Sequence, residues 1–238
     1  MSSPTPVAIL GMHRSGTSSL TGSLQQKGLY LGKVFECNPH NRKGNRENAL
    51  IMSLNDAILT TSGGSWDNPP AEVEWLAQQA EERDSIIRAF ASCPGQLCGF
   101  KDPRTLLTLP FWQDGLPDLK LVGTFRHPVL VARSLEFRDR MPRDHALRLW
   151  RIYNLKLLAC LQVREFPVVA FNVPPEEYQD SVESVAAYLG IAGGNGGHGE
   201  VPFFEESLRH HTVADGYEPV PDECAWLYDT LNQIYKGR

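Results

Sequence analysis

Val7-Ala8-Ile9-Leu10-Gly11-Met12-His13-Arg14-Ser15-Gly16-Thr17-Ser18-Ser19-Leu20 is the stretch that decides how the rest of the chain is read. Four apolar residues ending at a glycine read as a short buried strand and its exit. Gly11 and Gly16 then stand five positions apart, with Thr17 and Ser18 following. That is the spacing of a phosphate-binding loop. Its glycines let the backbone turn sharply and approach an anion, while unbonded N–H groups at a helix start point at the ligand. A nucleotide hydrolase would carry lysine where Thr17 stands, whereas this loop has Arg14 inside it. An anion site is kept, but a different phosphate compound is expected.

The 238 residues, 42% of them hydrophobic, are enough for one good core. The expectation is a single domain over 1–238, with 193–199 a flexible glycine-rich linker and 200–238 a C-terminal extension packing on it. A net charge of −5 gives no general attraction for nucleic acid or an anionic membrane, so any anion site must be built locally. No apolar run approaches the roughly 20 residues needed for a transmembrane segment, and the N-terminus lacks the pattern of a secretory signal. The five cysteines, Cys37, Cys93, Cys98, Cys160 and Cys224, are scattered and odd in number. Cys93 and Cys98 do not have the spacing of a zinc pair, so a reduced, cytoplasmic protein without a metal site is expected.

Beyond the loop, a helix is expected over 18–27, stopped by Gly28. The segment 29–46 reads as an irregular polar loop near the ligand mouth. Helical periodicity then runs from Glu47 to Leu59, with Glu47 at the helix start, where a carboxylate suits the dipole. After a break at Gly63-Gly64-Ser65-Trp66-Asp67-Asn68-Pro69-Pro70, a helix is expected over 71–91. Its charges Glu72, Glu74, Glu81, Glu82, Arg83 and Asp84 read as a solvated face. Strands are expected over 96–101, 120–125 and 167–171. Helices are expected from Pro128 and over 143–163, 175–189 and 223–235. Short apolar strands alternating with helices imply an α/β, three-layer, P-loop-type fold with a central parallel sheet flanked by helices.

Ligands of open α/β sheets gather beyond the carboxyl ends of the strands. Three such ends carry polar residues: Arg14 to Ser19, Lys101-Asp102-Pro103-Arg104, and Arg126-His127. Ser134 lies eight residues beyond Arg126, about two helical turns along the next helix. Arg126 and Ser134 are therefore expected to converge on one anion, as fork and hydroxyl donor.

These motifs resemble those of sulfotransferases that use 3′-phosphoadenosine-5′-phosphosulfate (PAPS), of the bacterial type related to carbohydrate and tyrosylprotein sulfotransferases. The resemblance covers most of the chain. It rests on residues 11–20, on Phe-Lys-Asp-Pro-Arg-Thr at 100–105, and on Phe-Arg-His-Pro at 125–128 with Ser134 following. Weaker echoes lie at 43–48, 64–66 and 207–211. The resemblance implies that Arg14, Gly16, Thr17 and Ser18 hold the 5′-phosphate, with His13 and Ser15 in the same loop. It also implies that Arg126 and Ser134 hold the 3′-phosphate and that Lys101 stabilises the sulfuryl group. Two departures stand out. Phe171-Asn172 replaces the family's Tyr-Glu or Tyr-Asp pair, and the C-terminal glycine-centred clasp on the 3′-phosphate is missing, with Arg209 as a substitute.

The implied reaction is in-line transfer of a sulfuryl group from PAPS to an acceptor hydroxyl, on a small molecule or glycan, releasing 3′-phosphoadenosine-5′-phosphate. A sulfuryl group carries less charge than a terminal phosphoryl group, so cationic side chains can stand in for magnesium. Glu47 is the first candidate for general base and His40 the second. Trp66, Trp112 and Trp150 are candidates to line the acceptor site. One competing reading is a P-loop kinase using ATP·Mg²⁺ through Asp102, which ends a strand beside the loop. Another is a non-catalytic phosphoadenosine-binding module.

Overall fold

The structure is a computed structural model that describes residues 4–37, 44–90, 92–94, 96–191, 203–204 and 219–237. The expected linker at 193–199 and the candidates His40 and Arg209 lie outside the described residues. Four strands, β1 (Thr5–Leu10), β2 (Leu97–Lys101), β3 (Lys120–Phe125) and β4 (Val168–Ala170), form one parallel sheet in the order β2-β1-β3-β4. Eight helices surround it among the described residues: α1 (Thr17–Gln26), α2 (Ala49–Thr61), α3 (Ala77–Phe90), α4 (Leu109–Gly115), α5 (Pro128–Asp139), α6 (Arg143–Val163), α7 (Pro175–Leu189) and α8 (Asp222–Lys236). A 3-10 turn, Pro103–Leu106, leaves β2.

Strand alternation sorts the core into two halves. Val7, Ile9, Leu97, Val122 and Val169 point to one face, where they meet Leu20 and Leu24 of α1 and Tyr178, Val182, Val185 and Leu189 of α7. Ala8, Leu10, Phe100, Leu121, Phe125 and Ala170 point to the other, beneath α2, α4, α5, α6 and α8. A sheet buried on both faces needs near-continuous apolar strands, and these four supply them. The result is the expected three-layer α/β architecture.

Several local expectations are corrected. The helix expected over 71–91 begins only at Ala77, because Pro69 and Pro70 keep the chain extended and Gln79 Oε1 takes the Leu76 N–H at the true start. Arg83 does not belong to a solvated face. It is buried, with its guanidinium bonded to the Phe111 carbonyl (2.8 Å) and Asp114 (2.7 Å), and it fastens α3 to α4. The polar loop after α1 contributes core as well, since Leu29 and Leu31 are buried and Tyr30 bridges to Cys98.

β1 and β3 are neighbours, while the chain passes from one to the other through β2 on the far side of β1. The loops after β1 and β3 therefore leave the sheet in opposite directions and open a crevice between them. Arg14, Lys101, Arg126 and Asn172 all lie just at or beyond the carboxyl ends of the four strands.

Candidate phosphate-binding site

The loop after β1 is shaped by backbone constraints that glycine alone relieves. Gly11 has φ +154°, and a Cβ there would lie 2.6 Å from the Thr124 carbonyl oxygen. Gly16 has φ +87°, and its Cβ would be driven into the Phe171 ring. Arg14 takes φ +67°, a left-handed conformation that costs a non-glycine residue about 1–2 kcal/mol. The surroundings hold it there: Ser15 N–H bonds to the Met12 carbonyl, and Thr124 Oγ1 donates to the Ser15 carbonyl at 3.0 Å. Gly16 is the N-cap of α1, with no side-chain cap and no acidic residue in the first turn. The first N–H groups of that helix are left for a ligand, as an anion cradle requires. Ser15 Oγ is buried beside them without a hydrogen-bond partner among the described residues.

Two cationic clusters flank this loop. On one side, Arg14 Nε donates to Ser134 Oγ of α5 at 2.7 Å, and Arg126 donates to the Arg14 carbonyl at 3.3 Å. Arg126 and Ser134 are thus both brought onto Arg14. Burial pulls the Arg14 pKa down, with nearby Arg138 acting the same way. The Arg126 guanidinium lies 5.4 Å from the centre of the Phe171 ring, and its carbonyl accepts from Trp150 Nε1 at 2.9 Å.

On the other side, Lys101, at the end of β2 and only 1% exposed, pairs with Glu47 Oε1 at 2.6 Å and reaches Ser18 Oγ at 3.2 Å. Ser18 Oγ is also 3.2 Å from the Asn45 carbonyl, to which it donates. Glu47 is therefore not the helix-start carboxylate that its position implied. Asn48 caps α2 through Oδ1 on the N–H of Leu50, and Glu47 turns inward to Lys101. An Asn directly before a periodic apolar run is the signal that would have found the cap.

Asp102 is fully buried and committed. Oδ1 accepts from the Arg104 guanidinium (2.8 Å), and Oδ2 accepts from Asn55 Nδ2 (2.8 Å). Asn55 Oδ1 in turn accepts from Thr108 Oγ1 and Trp112 Nε1. Nothing in the sequence marks Asn55 as this hub, because the residues it joins are about fifty positions away. Trp112 and Trp150 are fully buried and make core hydrogen bonds, so they do not line an acceptor site.

Trp66 is half-buried and packs at a tilt against His13, ring centres 4.5 Å apart and planes 48° apart. Burial, followed by Arg104, Arg138, Lys101 and Arg14, pulls the His13 pKa well below its ordinary value, so its ring is neutral at pH 7. His13 Nε2 has no hydrogen-bond partner among the described residues. At the fourth strand end, Asn172 Oδ1 accepts the His127 N–H at 2.9 Å, and Asn172 Nδ2 donates to Tyr228 of α8 at 2.8 Å. The departure at Phe171-Asn172 thus packs one residue under the loop and uses the other to tie β3, β4 and α8 together.

No protein-family model matches the sequence, and no curated protein does. Among solved structures, the chain is similar to the sulfotransferase domain of the Synechococcus PCC 7002 olefin synthase, at 17% identity and TM-score 0.60, over 98% of this chain and 96% of that one. It is equally similar to the sulfotransferase domain from the curacin biosynthetic pathway, at 17% identity and TM-score 0.60, over 96% of this chain and 98% of that one. The chain has the fold of sulfotransferase domains. Among the described residues, no group of three or more His, Cys, Asp or Glu could hold a metal ion, and no helix is long and apolar enough to cross a membrane.

Proposed function

We propose that this chain transfers a sulfuryl group from PAPS to an acceptor hydroxyl on a small molecule or glycan. The observation that carries the reading is the junction of Arg14, Ser134 and Arg126 beside an uncapped helix start. A ligand with one phosphate group needs the loop alone. A half-buried arginine held by a serine hydroxyl next door supplies a place for a second anion, which the 3′-phosphate of PAPS provides. The residues fit such a ligand: Gly11 and Gly16 let the loop turn tightly against Thr124 and Phe171, and Ser15 Oγ is a buried hydroxyl with no hydrogen-bond partner among the described residues.

When bound, PAPS supplies the sulfuryl group and a phosphate that leaves. The first-turn N–H groups of α1, with Thr17 and Ser18, hold the 5′-phosphate, while Arg126 and Ser134 hold the 3′-phosphate, joined by Arg14, which the resemblance assigns to the 5′-phosphate but whose guanidinium sits on Ser134. Lys101 brings positive charge to the mouth of the loop, beside Ser18. A preorganised donor aimed at developing charge is worth about 3–4 kcal/mol, two to three orders of magnitude in turnover. Glu47, on the same ammonium group, takes the acceptor hydroxyl proton on its carboxylate. His13, neutral and packed between Trp66 and Tyr153, contributes to the wall that the acceptor meets.

The kinase alternative asks Asp102 to hold magnesium, yet both its oxygens are already taken by Arg104 and Asn55. Titration calorimetry tests the reading. Binding of 3′,5′-bisphosphoadenosine far tighter than ADP, unaffected by a chelator, together with sulfuryl transfer to an acceptor panel, is the expected result. Magnesium-dependent ATP binding of equal or greater strength would overturn it. Bisphosphate binding without transfer to any acceptor would reduce the protein to a phosphoadenosine-binding module.

A further inference from the structure

A groove of about 620 Å³ opens along the free edge of β4 and shares no residue with the site above. β4 ends the sheet, and its ladder to β3 uses alternate residues: Gly123 N–H donates to the Pro167 carbonyl, and Phe171 N–H to the Phe125 carbonyl. Val168, out of step with those bonds, turns its own N–H and C=O to the groove, where no strand pairs with them among the described residues. α8 covers one face of β4 and α7 the other. The two helices meet across the edge, since the Tyr235 hydroxyl stands 2.9 Å from Ser181 Oγ and donates to Glu177 at 3.0 Å. That bridge closes the edge to an added strand and leaves a slot for a slender ligand.

The length of the slot follows from β3, which runs beside it. Tyr235 packs on Phe125, the last residue of that strand, with ring centres 6.5 Å apart. The ring centre of Tyr188 lies 5.8 Å from Nζ of Lys120, the first residue. A strand of 6 residues between those two ends makes the slot roughly 17 Å long. Its wall is apolar, built by Phe166, Val168 and Val185, all buried. Exposed carboxylates stand at both ends: Glu177 and Asp180 beside Tyr235, and Glu165 ahead of β4. None of the three has an ion-pair partner among the described residues. Lys236, which also lines the slot, and Lys120 oppose them, and the carboxylates remain in excess.

We propose that this groove binds a linear aliphatic polyamine, laid along β4 with an ammonium group at each end. Its methylene segments cover Phe166, Val168 and Val185, which removes apolar surface from water. One terminal ammonium meets Glu177 and Asp180, the other meets Glu165, and an internal N–H donates to the Val168 carbonyl. Both the apolar wall and the charges at its two ends are needed, so length decides affinity as much as charge does.

Titration calorimetry with spermine, at physiological ionic strength, reads this site without involving the loop after β1. One spermine is expected to bind per chain, with putrescine, too short to span the slot, at least about tenfold weaker. Glu165→Gln and Glu177→Gln are each expected to weaken spermine about two- to fivefold. Glu82→Gln, the same loss of charge on an exposed part of α3, should leave it unchanged. Ser184→Lys sets an ammonium group in the middle of the slot from an exposed position on α7 and should abolish binding while circular dichroism stays that of the parent. No heat with spermine, putrescine binding as tightly, or undiminished binding by Ser184→Lys would overturn the proposal. So would several spermines per chain with Glu82→Gln as harmful as Glu165→Gln, the mark of a general attraction to an acidic protein.

Discussion

Lys101 and Glu47 are the pair on which the chemistry would turn, and their coupling is measurable before any acceptor is known. Their charges stand 2.6 Å apart with the lysine 1% exposed. At an effective dielectric near 20, the gross attraction at that separation is about 6 kcal/mol, offset in part by the cost of burying both ions. Removing one partner strands the other, which typically costs about 3–5 kcal/mol. Glu47→Gln keeps a hydrogen-bond acceptor beside the ammonium, and Ser18 Oγ remains at 3.2 Å, so the low end, about 3 kcal/mol, is expected. In a chain of this length that corresponds to a Tm loss of roughly 6–12 °C. Lys101→Met buries an apolar chain in the same space but leaves Glu47 unpaired, with a similar loss. The double variant removes both charges and is expected to recover at least about 2 kcal/mol relative to the sum of the singles. Urea unfolding of the four proteins closes the cycle. Additivity within about 0.5 kcal/mol would refute the coupled pair, and with it the idea that Lys101 is held in place by its prospective base.

The second anion site has its own signature: Ser134→Asp gives Arg14 a carboxylate partner in place of a hydroxyl, and a hydrogen bond between charged groups is worth about 1.5–3 kcal/mol. This variant is expected to unfold later than the parent while binding 3′,5′-bisphosphoadenosine at least about tenfold more weakly by calorimetry, and unchanged binding would count against the site. Gly16→Ala drives a methyl group into the Phe171 ring at a positive φ, so bisphosphate binding should vanish, with partial return in Gly16→Ala/Phe171→Ala. Asn172→Ala leaves the His127 N–H without its partner and should cost about 1–3 kcal/mol in urea, whereas Tyr228→Phe, which removes one acceptor, should cost about 0.5–1.5 kcal/mol. Burial and neighbouring cations hold the folded pKa of His13 below its unfolded value near 6.5. The unfolded chain therefore binds protons that the folded one does not as pH falls through that value. Stability should decline below about pH 6.5, and His13→Gln should flatten that decline; an equally steep slope in the variant would show that other groups cause it.

The strand ends were legible because they combine two local signals, an apolar run and an abrupt polar exit, that survive without tertiary information. The bounds of α6 and α7 followed from periodicity, and that of α7 also from Gly190, whose φ of +76° closes the helix. The bounds of α3 did not, since acidic residues from 72 onward looked helical while Pro69 and Pro70 kept the backbone extended. Glu47 is more instructive. Its position fits a dipole role, yet Asn48 had the better side chain for capping, which left Glu47 to answer a lysine 54 residues away. Asn55 and Asn172 were beyond reach for the same reason. Amide side chains that knit distant segments have no periodicity and no fixed spacing, and their partners are set only when the chain has folded.

The distribution of partners among the cations explains where a chain of net charge −5 can still attract an anion. Lys101 and Arg104 are answered by carboxylates in contact, Lys101 by Glu47 and Arg104 by Asp102 and Asp56. Those contacts fix geometry and offset part of each positive charge. Arg14 differs, because the group that holds its guanidinium is the neutral hydroxyl of Ser134. Its position is set by a neutral group, and burial, with nearby Arg138, outweighs the opposing charge of Asp139 in making the charged form more costly. An anion arriving there relieves a cost that folding has already incurred, which is where binding energy is largest per contact. Had Ser134 been acidic, the fold would be firmer and the pocket electrostatically mute. On the proposed reading, the hydroxyl at this position gives up local stability in favour of a second anion.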